Sequence, residues 1–191
     1  MNKDLTYRFL ATDFILESGE DKPQFPPRVA DQAFKRALMH HPREAAHTLY
    51  DPFCGNGIAL ASALVLHRKM IAGLMGSDVD SASVELTRRN VALCTEDAAR
   101  ERQRQLKAQP ELATGKQTAG RLGEFADMLR ERGCTGLPQT QFFVHNILAP
   151  QQVVKPETVS MLITDPPYGR QSPFIKDNEG VQDEEALLQL Y

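Results

Sequence analysis

The stretch from Thr48 to Cys94 constrains the fold more than any other part of the chain. Thr48-Leu49-Tyr50 reads as a short buried strand that runs into Asp51-Pro52-Phe53-Cys54-Gly55-Asn56-Gly57. Ile58 to Leu66 is an unbroken apolar run that suits a buried helix. Ile71 to Ser77 is the next strand, ending at Asp78, and Ser81 to Cys94 is a further helix with Asp80 or Ser81 as its N-cap. Strand, glycine turn, helix, strand, acid, helix is the rhythm of a doubly wound parallel sheet. Such sheets bind ligands at the carboxyl ends of their strands. Gly55 and Gly57 carry no Cβ, so the backbone can pass close beneath a ligand. The helix that follows would offer its free N–H groups to an anion. The turn lacks the third glycine of the dinucleotide fingerprint, which counts against a nicotinamide dehydrogenase. Asp78 lies roughly 20 residues beyond the glycines, where an acid commonly takes a pair of ribose hydroxyls.

Two more strands carry the pattern on. Gln141-Phe142-Phe143-Val144 ends at His145-Asn146, and Val159 to Ile163 ends at Thr164-Asp165-Pro166-Pro167-Tyr168-Gly169. Apolar strands therefore end in turn at Asp51, Asp78, Asn146 and Asp165, which together make a site rather than four loop caps. Asn146 could read an adenine edge through its side-chain amide. Two consecutive prolines cannot continue a central strand or a helix, so the chain must turn after Asp165 and hold one shape. Asp165 and the Pro166 carbonyl are acceptors beside the flat ring of Tyr168, which suits an amine on a planar base. Taken alone, the segment reads equally well as a stiff loop with an Asp cap.

The flanks are less informative. Tyr7 to Leu16 reads as a short strand or irregular segment. Phe25-Pro26-Pro27-Arg28 opens a helix, with Val29, Ala30, Phe34 and Leu38 at helical spacing. His40 and His41 suit a helix C-terminus better than a metal. Residues at about 95–135 form a helical insertion, with helices near Glu96–Gln109 and Ala119–Arg132. The insertion is either a solvated pair or an RNA-facing arm presenting Arg100, Arg102, Arg104, Lys107 and Arg121 to phosphates. Pro173 to Gly180 reads as a loop, and Asp183 to Leu190 as the start of a helix.

At 191 residues the chain suits one domain. A net charge of −3 does not announce a nucleic-acid binder, although a local basic patch can sit on an acidic protein. Cys54, Cys94 and Cys134 form no C-x-x-C pair, which fits a reducing compartment and gives no support for a metal site. Cys54 has no evident base beside it and reads as a small buried turn residue. The N-terminus lacks a signal-peptide apolar region, and no apolar run approaches the roughly 20 residues of a membrane span. The expectation is a cytoplasmic protein with no membrane or metal partner.

Asp51-Pro52-Phe53-Cys54-Gly55-Asn56-Gly57 resembles the S-adenosyl-L-methionine motif of class I methyltransferases of the D-P-F-C-G-S-G type. Asp165-Pro166-Pro167-Tyr168 resembles the D/N-P-P-Y/F motif of methyltransferases that act on exocyclic or amide nitrogens. The F-P-P-R-V-A helix, Gly76-Ser77-Asp78-Val79-Asp80, the helical insertion and Thr164 to Gly169 narrow the likeness. Together they resemble the avilamycin-resistance ribosomal RNA guanine methyltransferase family, from about Tyr7 to Gly169.

The resemblance implies a Rossmann-like α/β sheet and methyl transfer from S-adenosyl-L-methionine to a nucleobase amine, above all guanine in ribosomal RNA. It implies that Asp51 orients the methionine amine within Asp51-Pro52-Phe53, with Gly55 and Gly57 beneath the cofactor. Asp78 would hold the ribose and Asn146 would stand where an Asp often meets adenine. Asp165, Pro166, Pro167 and Tyr168 would form the catalytic turn. The same motifs fit adenine or cytosine in DNA, a protein glutamine, or a non-catalytic cofactor- or RNA-binding fragment. The family's sheet continues past its fourth strand, so the resemblance also implies a single domain over residues 1–191 that is truncated after that strand.

Overall fold

In the computed structural model the described residues are 3–11, 14–19, 25–41, 46–108, 113–148, 154–166, 174–176 and 179–181. In chain order they form α1 (Lys3–Leu10), α2 (Pro27–Leu38), β1 (His47–Asp51), α3 (Ile58–Leu66), β2 (Ile71–Asp78) and α4 (Ser81–Leu93). Then come α5 (Glu96–Lys107), α6 (Ala113–Glu131), β3 (Gln139–Val144), β4 (Met161–Leu162), β5 (Phe174–Lys176) and β6 (Glu179–Val181). The first four strands make one parallel sheet in the order β3-β2-β1-β4. The order reverses between β1 and β4, and that reversal is the topological switch point expected of a doubly wound sheet.

The apolar runs account for these elements. α3 is buried along nearly its whole length, as its all-apolar sequence requires. It packs on the face of the sheet to which Gly76 would point a side chain. A Cβ at Gly76 would stand 3.0 Å from Leu60 Cδ1 and 3.1 Å from both Cys54 Cβ and Phe142 Cδ1. Only a residue without a side chain lets the turn, helix and sheet meet that closely. α4 starts on Asp80, whose carboxylate accepts from Ala82 N–H at 3.1 Å and from Ser83 Oγ at 2.9 Å.

Three expectations change. The segment containing Tyr7 is helical: α1 buries Thr6, Phe9 and Leu10 along one face, and Phe9 meets Phe125 at 5.5 Å between ring centroids. The insertion is not merely solvated. α6 sends Leu122, Phe125, Ala126, Met128 and Leu129 into the main core, while its outer face carries charge. Residues within the loop expected from Pro173 to Gly180 pair as the antiparallel strands β5 and β6. Phe174 and Ile175 are strong strand formers, and that preference prevails there. The helix expected from Asp183 lies outside the described residues.

One buried acid joins the N-terminal helices to this core. Asp31, 3% exposed, accepts from Tyr7 Oη at 2.6 Å, contacts His67 Nε2 at 2.6 Å and pairs with Lys35 Nζ. These donors hold its carboxyl below the usual range against the opposing effect of burial. The cluster lies at the end of α3 away from the glycine turn, so it supports the fold and not the site.

Candidate active site

The parallel strands bring Asp51, Asp78 and Asp165 to one edge of the sheet. Asp51 is 3% exposed. Its Oδ1 accepts from Phe53 N–H at 3.1 Å and from Thr164 Oγ1 at 2.7 Å. Burial, reinforced by the charges of Asp78 and Asp165, pushes its carboxyl up to about 7, against the pull of those two hydrogen bonds. Among the described residues, no donor reaches Oδ2. A buried carboxylate with one oxygen held and one left over is suited to a cationic ligand.

The glycine turn is fastened from both sides. Gly55 N–H donates to Asp78 Oδ2 at 3.0 Å, and Asp80 N–H donates to Asp78 Oδ1 at 3.0 Å. Cys54 N–H donates to Ser77 O at 2.9 Å. Ser77 Oγ donates to Pro52 O at 3.3 Å and lies 2.7 Å from Tyr50 Oη. The two glycines serve different needs. Gly57 adopts φ +77, and a Cβ there would come within 3.0 Å of the Thr87 backbone, so this glycine is required by α4. Gly55 adopts φ +50, and a Cβ there would meet only Phe53 O, at 3.9 Å, so its open side is available to a ligand. The free N–H groups expected at the start of α3 are partly engaged: Ile58 N–H donates to Asn56 Oδ1 at 3.4 Å.

Asn146 follows β3, and its Oδ1 accepts from Leu148 N–H at 3.0 Å. Its neighbour His145 donates its backbone N–H to Asp78 O at 2.9 Å, which ties this strand end to the acid of β2. Asp165 and Pro166 are half-buried at the end of β4, whereas Pro167 and Tyr168 lie outside the described residues. Cys54 is buried, and desolvation pushes its thiol up to about 12, which leaves it inert as a nucleophile. Among the described residues no group of His, Cys, Asp or Glu could hold a metal.

Three participants were not evident from the sequence. Thr87 Oγ1 donates to Gly55 O at 2.9 Å. Asn90 accepts from Glu17 N–H at 2.9 Å and donates to Glu17 O at 2.9 Å and Asn56 O at 2.8 Å. Thr164 reaches Asp51 across 113 residues of chain. For Thr87 and Asn90 the available signal was a polar residue on the buried face of a helix. Three basic residues of the insertion have partners within the chain: Arg100 pairs with Glu96 and Asp127, Arg104 pairs on the surface with Glu101, and Arg121 lies 4.1 Å over the Phe14 ring. Arg102 and Lys107 are exposed, so the hairpin is partly self-paired and still presents basic residues to solvent.

A family profile described as rRNA methyltransferase AviRa matches residues 2–189. The chain belongs to the AviRa family of rRNA methyltransferases. It is 32% identical over 168 residues to a 23S rRNA (guanine(2535)-N(1))-methyltransferase of Streptomyces viridochromogenes, covering 85% of this chain and 67% of that one. Two solved structures of rRNA methyltransferase aviRa from the same organism, at 1.5 Å and 2.4 Å, superpose with TM-scores of 0.76 and 0.72. Each is 26% identical, and the match covers 100% of this chain and 75% of the other. The AviRa likeness establishes the α/β methyltransferase fold and methyl transfer as the reaction class. The curated relative's name puts the methyl on N(1), a ring nitrogen, where the D-P-P-Y motif alone had suggested an exocyclic amine. No helix among the described residues is long and apolar enough to cross a membrane.

Proposed function

We propose that this chain transfers a methyl group from S-adenosyl-L-methionine to N1 of a guanine in 23S ribosomal RNA. The observation that carries the reading is the hydrogen bond between Thr164 and Asp51, which brings the turn before Asp165 against the carboxylate beside the glycine loop. The residues fit the cofactor: Asp51 leaves Oδ2 for an ammonium, Gly55 is open on one side, and Asp78 stands across the loop. S-adenosyl-L-methionine supplies the electrophilic methyl group.

The chain's own residues do the rest. Guanine N1 carries a proton and its lone pair is delocalised into the ring, so the proton must leave as the N–C bond forms. On this reading Asp165 accepts that proton, and the Pro166 carbonyl accepts from the neighbouring amine. Acceptors aimed at hydrogens that grow more positive during transfer bind the transition state better than the ground state. Holding the base and methyl in line supplies a further large share of the rate. A base in structured RNA must first be unstacked, at a cost of a few kcal/mol. Stacking on Tyr168 would return roughly 1–3 kcal/mol.

The test is incubation with methyl-labelled cofactor and unmodified ribosomal RNA, DNA and protein. Label is expected in the large-subunit RNA, at a guanine that stops reverse transcriptase, because an N1 methyl blocks base pairing. Label at a guanine that is still read through would move the target to the exocyclic amine. Label in DNA or protein alone would end the ribosomal reading.

A further inference from the structure

On the functional reading given above, methyl transfer here depends on two acidic groups, far apart in sequence, keeping a fixed spacing. Asp51 lies on the cofactor side and Asp165 on the base side. β4, which delivers Asp165, is only two residues long and pairs with β1 through Met161 and Leu162. Ile163 N–H adds one bond to Tyr50 O at 3.1 Å. Beyond it Pro166 has no N–H to offer a neighbouring strand. At that point the side chain of Thr164 takes over, donating to Asp51 Oδ1 at 2.7 Å. Phe53 N–H donates to the same oxygen at 3.1 Å, so Oδ1 joins the glycine turn to the D-P-P turn.

We propose that Thr164 is a positioning residue for methyl transfer, fastening the Asp165 turn to the cofactor-side carboxylate through one oxygen, Asp51 Oδ1. This inference rests on the functional reading given above. It makes the two half-sites interdependent. An ionised carboxylate is a stronger acceptor than a neutral acid, so the tether tightens when Asp51 loses its proton. A cation at Oδ2 favours that ionised form. The charges facing Asp51 are those of Asp78 and Asp165, which oppose its ionisation. The Tyr50 phenol is raised by burial, and the Cys54 thiol by the same cause to about 12, so both stay neutral near pH 7. Ligand binding on one side of Asp51 therefore firms the acceptor turn on the other.

The test compares Thr164→Val, which removes the hydroxyl and keeps the shape, with Thr164→Ser, which keeps the hydroxyl. Three quantities are read on the full chain: methyl transfer at saturating cofactor, cofactor affinity by calorimetry across pH, and the Asp51 carboxyl titration by NMR without ligand. Thr164→Val is expected to lower kcat roughly 10- to 100-fold, as small misplacements of reacting groups do. Its cofactor affinity should stay within about three-fold at about pH 8 and weaken toward about pH 6, where the carboxyl is harder to ionise. The Asp51 titration should move up by about one pH unit, the shift that loss of one hydrogen bond to a charged group produces. Thr164→Ser should restore all three. Thr164→Ala serves the same comparison where Thr164→Val does not fold. Turnover and cofactor pH profile unchanged in Thr164→Val would overturn the inference alone. So would a Thr164→Ser variant as impaired as Thr164→Val, because the methyl group would then be what matters. A wild-type chain that neither binds the cofactor nor transfers a methyl would remove the functional reading and this inference with it.

Discussion

Replacing Asp51 by Asn should make the protein more stable at neutral pH while disabling it. The asparagine carbonyl can still accept from Phe53 N–H and Thr164 Oγ1, so the local geometry is kept. What is lost is the ionisation of a buried group. Burial raises the Asp51 carboxyl from 3.8 to about 7 in the folded chain. Between those two values the unfolded chain has released the proton and the folded chain still holds it. Stability must then fall as pH rises through that window and level off above about 7. A shift of about three units at 1.36 kcal/mol each makes the loss about 4 kcal/mol, to within a factor of two. The variant has no such slope. His67, lowered chiefly by burial, contributes in the opposite sense, since the folded chain resists protonation there as pH falls. That contribution is common to both proteins and cancels in the difference. Urea unfolding of the two proteins from about pH 4 to about pH 8 reads it out: the curves should converge at the acid end and separate toward neutrality. Parallel curves would refute the argument, because they would mean that Asp51 ionises as freely folded as unfolded. On the proposed reading the same substitution weakens cofactor binding roughly 10- to 150-fold, the worth of one hydrogen bond to a charged group.

Other substitutions test separate parts of the account. Gly57→Ala forces a side chain into a left-handed backbone and against Thr87, and should cost about 2 kcal/mol or more in urea unfolding. Asn90→Leu strands the Glu17 N–H and O and the Asn56 O, which should cost about 3 kcal/mol and speed hydrogen exchange at Glu17. Asp165→Ala should retain cofactor binding in calorimetry and lose turnover by orders of magnitude, whereas Asp78→Ala should chiefly weaken cofactor affinity. The reverse pattern would exchange the roles assigned to those two acids.

The sheet was legible because its strands are short apolar runs cut off by polar residues. Asp51, Asp78 and Asp165 each stop a run at the same end, so reading where the strands finish also grouped these three acids. α3 was legible from an apolar stretch too long for a strand. The rest depended on partners far away in sequence. Phe9 and Leu10 have no helical signature strong enough to outweigh Tyr7 and Thr6, and the helix forms because Phe125 lies against it. Asp31 reads locally as a surface acid on α2 and is buried only because Tyr7 and His67 converge on it. The separation of 113 residues between Thr164 and Asp51 leaves no local pattern to find. For the basic residues of α5, composition does not say whether an arginine faces an acid or solvent: Arg100 faces two acids, while Arg102 and Lys107 are exposed.

The packing of α1 bears on how the chain is made. Its core partner Phe125 and its neighbour's clasp on Asn90 both come much later in sequence. At roughly 5–20 residues per second, Phe9 waits roughly 6–23 s during synthesis before Phe125 exists to cover it. Through that interval α1 has only elements made earlier than Phe125 to pack against, with Phe14 beside Phe9 and Asp31 beside Tyr7. The side of α1 that meets Phe125 thus stays uncovered until β1, β2, α5 and much of α6 have been made.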